Sequence, residues 1–406
     1  MLFFLKRQLG KALVQLIICF LRFSIVSILI IIRPFRMVKL AFIDGTRIQP
    51  FIVTPEYLLR LQAVDPSPRK THYLLLTDGI CNNAVFEMIK RYFFCINLAS
   101  YSVYFLLAFP RGKSWIQPFV KYSYGHEIAP IFQKEKNIMS FTAEEHAKGQ
   151  AYLSLLGIGP DDWYACFANR DSAYLDEAMP NIDWSYHDYR DSSIGNYIEA
   201  MEYVAEKGGY ALRMGAKVSE SLSDKHGSHI IDYASTNRDE FLDIYLFAHA
   251  KFAVVGNTGI SGFSAVFDVP YAFINLLPLN HSEPYTRSDI YMPKVLWWKN
   301  KKRPLNFLEM RDLGFFSGTS GIGRTEFYQN HCIVPEENTS EEILAVTQEI
   351  NEVIDGIPRP KAQMKLQKQF KDKFRSNFNE YEKATDISGT FLSRHQELMT
   401  TDNETV

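Results

Sequence analysis

Between the apolar runs 252–255 and 271–274 the chain carries Gly256-Asn257-Thr258-Gly259-Ile260-Ser261-Gly262, a cluster of small and polar residues. Glycines such as Gly259 and Gly262 let a backbone approach a ligand closely. Asn257, Thr258, Ser261 and Ser264 add side-chain hydrogen-bonding groups. With 252–255 as a buried strand and 261–267 as the first turns of a helix, the stretch is a strand-to-helix turn. Free N–H groups and the helix dipole at such a turn attract anions, phosphates above all. The alternative reading of the same residues is a tight turn closed by a Ser/Thr helix cap. No Gly-Lys-Ser/Thr follows and no Gly-x-Gly-x-x-Gly is present, so neither common nucleotide fingerprint applies.

A turn of this kind needs strands and helices in alternation around it. Short apolar segments at 38–43, 72–77, 164–168, 210–214, 229–233, 252–255 and 271–275 read as strands. Helix-period stretches at 194–206 and 238–249 lie between several of them, which predicts an α/β protein with parallel sheets and helices on both faces. LGIGPDD, around 157–162, reads as a linker. Thr339-Ser340-Glu341-Glu342 is a capping box opening a helix, Pro358 and Pro360 end it, and the basic stretch 361–375 reads as a solvated helix. The expected domains are therefore a leader (1–39), an N-terminal domain (40–158), a C-terminal domain (159–360) and a helical extension (361–406).

With 406 residues, 47% of them hydrophobic, the chain can bury sizeable cores. Residues 1–39 hold seven basic residues, Lys6, Arg7, Lys11, Arg22, Arg33, Arg36 and Lys39, and no acid. Removing those seven from the 44 in the chain leaves 37 against 46 acidic residues. A basic leader on an acidic body argues against a nucleic-acid protein and for an anionic membrane surface as partner. The apolar run 12–32 is long enough to span a bilayer, but Arg22 sits at its middle, and most of the charge falls on one helical stripe. A helix lying in the interface is the expectation, with a spanning helix as the alternative. The five cysteines, Cys19, Cys81, Cys95, Cys166 and Cys332, show no Cys-x-x-Cys, so neither a disulfide framework nor a zinc site is expected.

Four segments occur in one order along the chain: NRDSAYLDE (169–177), YRDSSIGNYIEAMEYVAEKGGYALRMG (189–215), the stretch 239–275, and ISGTFLSRHQEL (387–398). Together they resemble a family of bacterial surface-polysaccharide glycosyltransferases, distantly similar to GT-B enzymes of the fucosyltransferase type. The resemblance covers roughly 140–400. It implies two Rossmann-like domains facing a cleft, with a nucleotide-sugar held mainly by the C-terminal one. The family's segment ending the first C-domain strand reads approximately His-x-Arg-Asp. Here it reads Ala168-Asn169-Arg170-Asp171, which makes Arg170 the candidate for the donor diphosphate, beside Asp171, and leaves the histidine's role without a residue. An ion pair or helix cap is the alternative for both. Arg213 matches the family's Arg-Met-Gly and would approach the phosphates or the base, unless it pairs with Asp243 or Asp232. Arg190 and Asp191 are further cleft candidates.

Sugar transfer from such a donor builds negative charge on the leaving diphosphate, balanced by a metal on an Asp-x-Asp motif or by arginines and helix N-termini. No Asp-x-Asp exists in the chain, so no cofactor and no metal are expected. An inverting transfer also needs a general base. Asp44 is the first candidate for it, with Asp78, His126 and Glu127 behind it; each also reads as an ordinary turn residue. Tyr285, Tyr291, Trp297 and Trp298, among Lys294, Lys299, Lys301, Lys302 and Arg303, read either as a surface loop or as a sugar or membrane contact. The expected protein is a membrane-associated glycosyltransferase at the cytoplasmic face of the inner membrane, with a lipid-linked saccharide as acceptor. A noncatalytic scaffold and a nucleotide-sugar epimerase are the alternatives.

Overall fold

The computed structural model describes residues 20, 23–24, 27–28, 30–32, 35–67, 70–97, 125–178, 181, 183–222, 226–236, 238–279, 286, 288–316, 321–374 and 386–400. The chain forms two compact units, Met1–Val120 and Lys121–Val406. This division falls earlier than the expected one at 158. LGIGPDD is instead a turn inside the second unit, because the helix before it packs there: Lys148 pairs with Asp239 at 3.2 Å and Gln150 Nε2 donates to Tyr245 Oη at 3.2 Å.

In the first unit β1 (Met37–Ile43), α1 (Ile48–Val64), β2 (Thr71–Thr77), α2 (Asn83–Lys90) and β3 (Phe94–Asn97) follow one another. The three strands are parallel in the order β1-β2-β3, with Leu40 opposite Leu74 and Leu76 opposite Ile96. Most of the leader lies outside the described residues. Those described between 20 and 32 are helical, and Phe20 and Phe23 are 74% and 72% exposed. Among the described residues no helix is long and apolar enough to cross a membrane.

The second unit opens with α3 (Gly125–Lys134) and α4 (Ala143–Leu155), the latter started by a Thr142/Glu145 capping box. Then come β4 (Tyr164–Ala168), α5 (Ala173–Ala178), α6 (Ile198–Glu206), β5 (Tyr210–Arg213), β6 (Ile230–Ile231), α7 (Glu240–Ala248), β7 (Phe252–Val255), α8 (Ser261–Val266), β8 (Tyr271–Leu276) and β9 (Ile290–Pro293). The rest is β10 (Val295–Trp298), β11 (Arg303–Pro304), α9 (Phe307–Asp312), α10 (Thr325–Asn330), β12 (Ile333–Glu336), α11 (Ser340–Ile354), α12 (Lys361–Phe374), β13 (Asp386–Ile387) and α13 (Gly389–Arg394). Seven strands form one all-parallel sheet in the order β13-β9-β8-β7-β4-β5-β6. A parallel sheet covered on both faces needs continuous apolar strands, and all four residues of β7 are fully buried. β10, β11 and β12 make a separate antiparallel sheet.

The strand order has a functional consequence. Counted along the chain, the strands run 3-2-1-4-5-6-7 across the sheet, the order of doubly wound nucleotide-binding folds. The chain therefore reverses direction between β4 and β7, and ligands of such sheets bind outside the carboxyl ends of the strands at that switch point.

Two expectations are corrected. The basic stretch after Pro360 is helical, as read, but it is anchored rather than solvated, with Gln367, Phe370 and Phe374 buried in α12. The aromatic-basic stretch is no surface loop: Tyr291 is 2% exposed in β9, Trp297 and Trp298 belong to β10, and Lys294 between them is 3% exposed. Tyr285 lies outside the described residues.

Candidate functional site

The turns after β4 and β7 are the two that flank the switch point, and they touch. Ala168 pairs with Val255, and the Gly256 N–H donates to the Ala168 carbonyl at 2.7 Å. A Cβ on Gly256 would lie 3.3 Å from the Arg170 nitrogen and 3.1 Å from Tyr197 Oη, so a side chain here would press on both neighbours. The Arg170 backbone thus lies next to the 256–264 turn, while its side chain is turned to Asp191.

Within the turn, the residues divide by exposure. Thr258, Gly259 and Ile260 are half-buried and within reach of solvent. Asn257 is buried and its amide Nδ2 donates to the Leu277 carbonyl; Ser261 is buried with Oγ donating to the Thr258 carbonyl at 3.0 Å. Gly262 and Ser264 are buried as well, the Ser264 hydroxyl without a hydrogen-bond partner among the described residues. Helix α8 spans only six residues and Ile260 provides no side-chain cap. Its dipole is accordingly small.

Arg170 is 13% exposed at its side chain and its Nε lies 3.3 Å from Asp191 Oδ1. Asp191 is held against the same turn: the Ser192 N–H donates to the Arg170 carbonyl at 3.0 Å, and Asn169 Nδ2 to the Ser192 carbonyl at 2.8 Å. Burial pushes the Asp191 carboxyl up to about 6, against the pull of Arg170 and Lys294. Lys294, which follows β9, sends Nζ to the Asp191 carbonyl at 2.6 Å, and burial pushes its ammonium down to about 8. Asp191 and Lys294 border a cavity of about 580 Å3 whose wall includes Tyr189, Tyr328, Cys332 and Glu337. Both shifts have the same cause, burial that disfavours the charged form of either group.

Asp171 accepts the Ala173 N–H at 3.1 Å and the Ser219 N–H at 3.1 Å, so it caps the turn and pins the 215–219 loop. Arg213 is fully buried and paired with Asp232 at 3.1 Å, leaving it no surface for phosphate or base. Arg190 is taken up by Tyr189 Oη at 3.0 Å and His187 Nδ1 at 2.8 Å. Asp44 lies in the first unit just after β1, where Oδ1 accepts the Thr46 N–H at 3.0 Å. Asp78 follows β2 there, and a Cβ on Gly45 would fall 1.8 Å from the Gly79 carbonyl oxygen, so these two turns are also in close contact. His126 and Glu127 belong to α3 of the second unit, not to the N-terminal domain. Among the described residues no group of His, Cys, Asp and Glu could hold a metal ion.

Sequence reading placed Lys294 in a surface loop or a sugar or membrane contact and did not find Tyr328 and Glu337. The one available signal was a lysine inside the apolar run 290–298, which foretells a buried amine.

No protein-family model matches the chain, and no curated protein does. Solved structures do show similarity. The glycosyltransferase family 9 protein from Veillonella parvula is 10% identical with a TM-score of 0.40, over 62% of this chain and 85% of that one. The iron-containing dodecameric glycosyltransferase TibC from enterotoxigenic E. coli is 13% identical with a TM-score of 0.40, over 80% and 81%. The ADP-heptose LPS heptosyltransferase II of E. coli is 11% identical with a TM-score of 0.36, over 58% and 84%.

Proposed function

We propose that the protein is a glycosyltransferase that takes a sugar from a nucleoside-diphosphate donor held at the switch point of the second unit. The observation that carries this reading is the contact between the Arg170 turn and the 256–264 turn at the carboxyl ends of β4 and β7. A guanidinium carried on a turn that adjoins half-exposed backbone is suited to a diphosphate, and it becomes more valuable as the anomeric C–O bond breaks and charge collects on the leaving oxygen. This stabilisation requires no metal. Asp44 is the proposed proton acceptor for the incoming hydroxyl.

The acceptor in this reading is a lipid-linked saccharide at the cytoplasmic face of the inner membrane. Support comes from the seven basic residues and no acid in 1–39, together with the exposed Phe20, Phe23, Ile28, Ile31 and Phe35. Apolar side chains with neighbouring cations suit an anionic lipid surface, and confinement there raises the effective concentration of acceptor.

Turnover tests the reading. Full-length protein is incubated with ADP-, GDP-, UDP- and CMP-linked sugars and a bacterial lipid-linked saccharide fraction, with and without EDTA, and nucleotide release is followed. One donor should be consumed, equally in EDTA, and Arg170→Ala should slow release by roughly 100-fold or more, the usual cost of removing such a group. Consumption of no donor refutes the reading, and abolition by EDTA refutes metal independence.

A further inference from the structure

The cavity beside Asp191 is a built site that the donor reading leaves unused. Tyr328 is 2% exposed, and its hydroxyl has no hydrogen-bond partner among the described residues. Its ring stacks on Tyr189 with centroids 4.9 Å apart, so the hydroxyl is held in place and not free to turn to solvent. Lys294, also on the wall, is fixed by its bond to the Asp191 carbonyl. Glu337 is held by the Ser193 N–H at 2.9 Å and by Asn196 Nδ2 at 3.0 Å. The lining therefore includes an amine, carboxylates and a phenol beside an aromatic pair, groups that meet vicinal hydroxyls with donors and acceptors and a C–H face with a ring. Asp188, Asp191 and Glu337 outnumber Lys294 and Lys299 on the wall, which disfavours an anionic occupant.

We propose that this cavity binds a neutral, polyhydroxylated saccharide ring, hydrogen-bonded by the Tyr328 hydroxyl and the Lys294 amine. The ring's purpose rests on the glycosyltransferase reading: it is either the sugar of the nucleotide-linked donor, whose diphosphate would lie on Arg170 across Asp191, or a sugar of the acceptor. Both present the same chemistry to the pocket.

Cys332 lines the cavity as a free thiol and reports occupancy directly, with Cys81 of the first unit as the internal reference. Peptide-resolved alkylation by iodoacetamide is measured on the full chain with nucleoside diphosphates, with UDP-glucose, GDP-mannose and ADP-glucose, and with free glucose and maltose. At about ten times its dissociation constant an occupant should slow Cys332, and not Cys81, about tenfold, because only the unoccupied fraction reacts. Protection by a nucleotide-sugar but not by its free nucleotide assigns the donor's sugar to the pocket; protection by a free saccharide assigns the acceptor's. Tyr328→Phe, which keeps the ring and its stacking, should raise the concentration needed about five- to tenfold, and Lys294→Met should do the same or more. Diphosphate stabilisation without Cys332 protection by any sugar overturns the pocket and leaves the donor reading standing. Saccharide protection without diphosphate binding does the reverse, and unchanged protection in both variants overturns the assigned contacts.

Discussion

Gly256 donates its N–H to the carbonyl of Ala168 at 2.7 Å, and this bond joins the two turns that enclose the switch point of the sheet. Gly256→Ala would push a methyl against Tyr197 Oη and the Arg170 nitrogen, at 3.1 and 3.3 Å. Overpacking of that kind costs about 1–3 kcal/mol. Urea midpoints should show the loss, and Tyr197→Phe in the same chain should restore part of it by removing the nearer atom. Full stability of the single variant would mean that the turns have room to separate.

Arg213 and Asp232 form a pair whose guanidinium is fully buried. Removing the carboxylate leaves an uncompensated cation, so Asp232→Ala should cost about 3–5 kcal/mol in chemical denaturation. Nucleotide affinity, measured where the variant is folded, should stay unchanged. A selective loss of affinity with normal stability would return Arg213 to the ligand.

Glu349 is 4% exposed and gathers the ISGT segment onto α11: Ser388 Oγ donates to it at 2.7 Å, the Gly389 N–H at 3.0 Å and the Thr390 N–H at 3.2 Å. Glu349→Ala should lower stability by about 3–5 kcal/mol and expose α13 to rapid hydrogen exchange. Protection of 389–394 at the wild-type level would contradict this anchoring role.

His395 Nε2 and Glu342 Oε1 lie 2.5 Å apart. The hydrogen bond to Glu342 raises the His395 pKa, while Glu342 is lowered by His395 against its own burial. A raised histidine stabilises fully below its unfolded value near 6.5 and loses that contribution as pH rises through the folded value. The glutamate's share is present above its unfolded value near 4.3 and fades as pH falls through the lowered one. His395→Gln should therefore cost about 1–3 kcal/mol near pH 5.5 and progressively less toward pH 9. A pH-independent difference in urea midpoint would show that the pair is not ionic.

The parts of the fold that were legible in the sequence are those where one local rule decides. FAVV and YACFA are continuous apolar runs because a central parallel strand is buried on both faces, and the Thr339 box reads directly as a helix start. β9 and β10 were hidden because Lys294 and the tryptophans give them the composition of a surface loop, although β9 is buried throughout and β10 pairs with β11 and β12. HIIDY shrank to the two-residue strand Ile230–Ile231, at the sheet edge where one neighbour is missing. The glycine-rich turn was visible as a motif, but not that Asn257, Ser261 and Ser264 would be buried, since that depends on what packs over α8. The cavity joins Asp191, Lys294, Tyr328 and Glu337, which no spacing rule connects; only the folded chain brings them together.

The most direct test of the switch-point site is a thermal titration of the full chain with ADP, GDP, UDP and CMP, repeated with Arg170→Ala. At about 100 times its dissociation constant a ligand stabilises by roughly 2.7 kcal/mol, a shift of several degrees. One nucleotide should raise the midpoint of the wild type, and Arg170→Ala should abolish the shift. No shift with any nucleotide, or the same shift in the variant, would contradict that site.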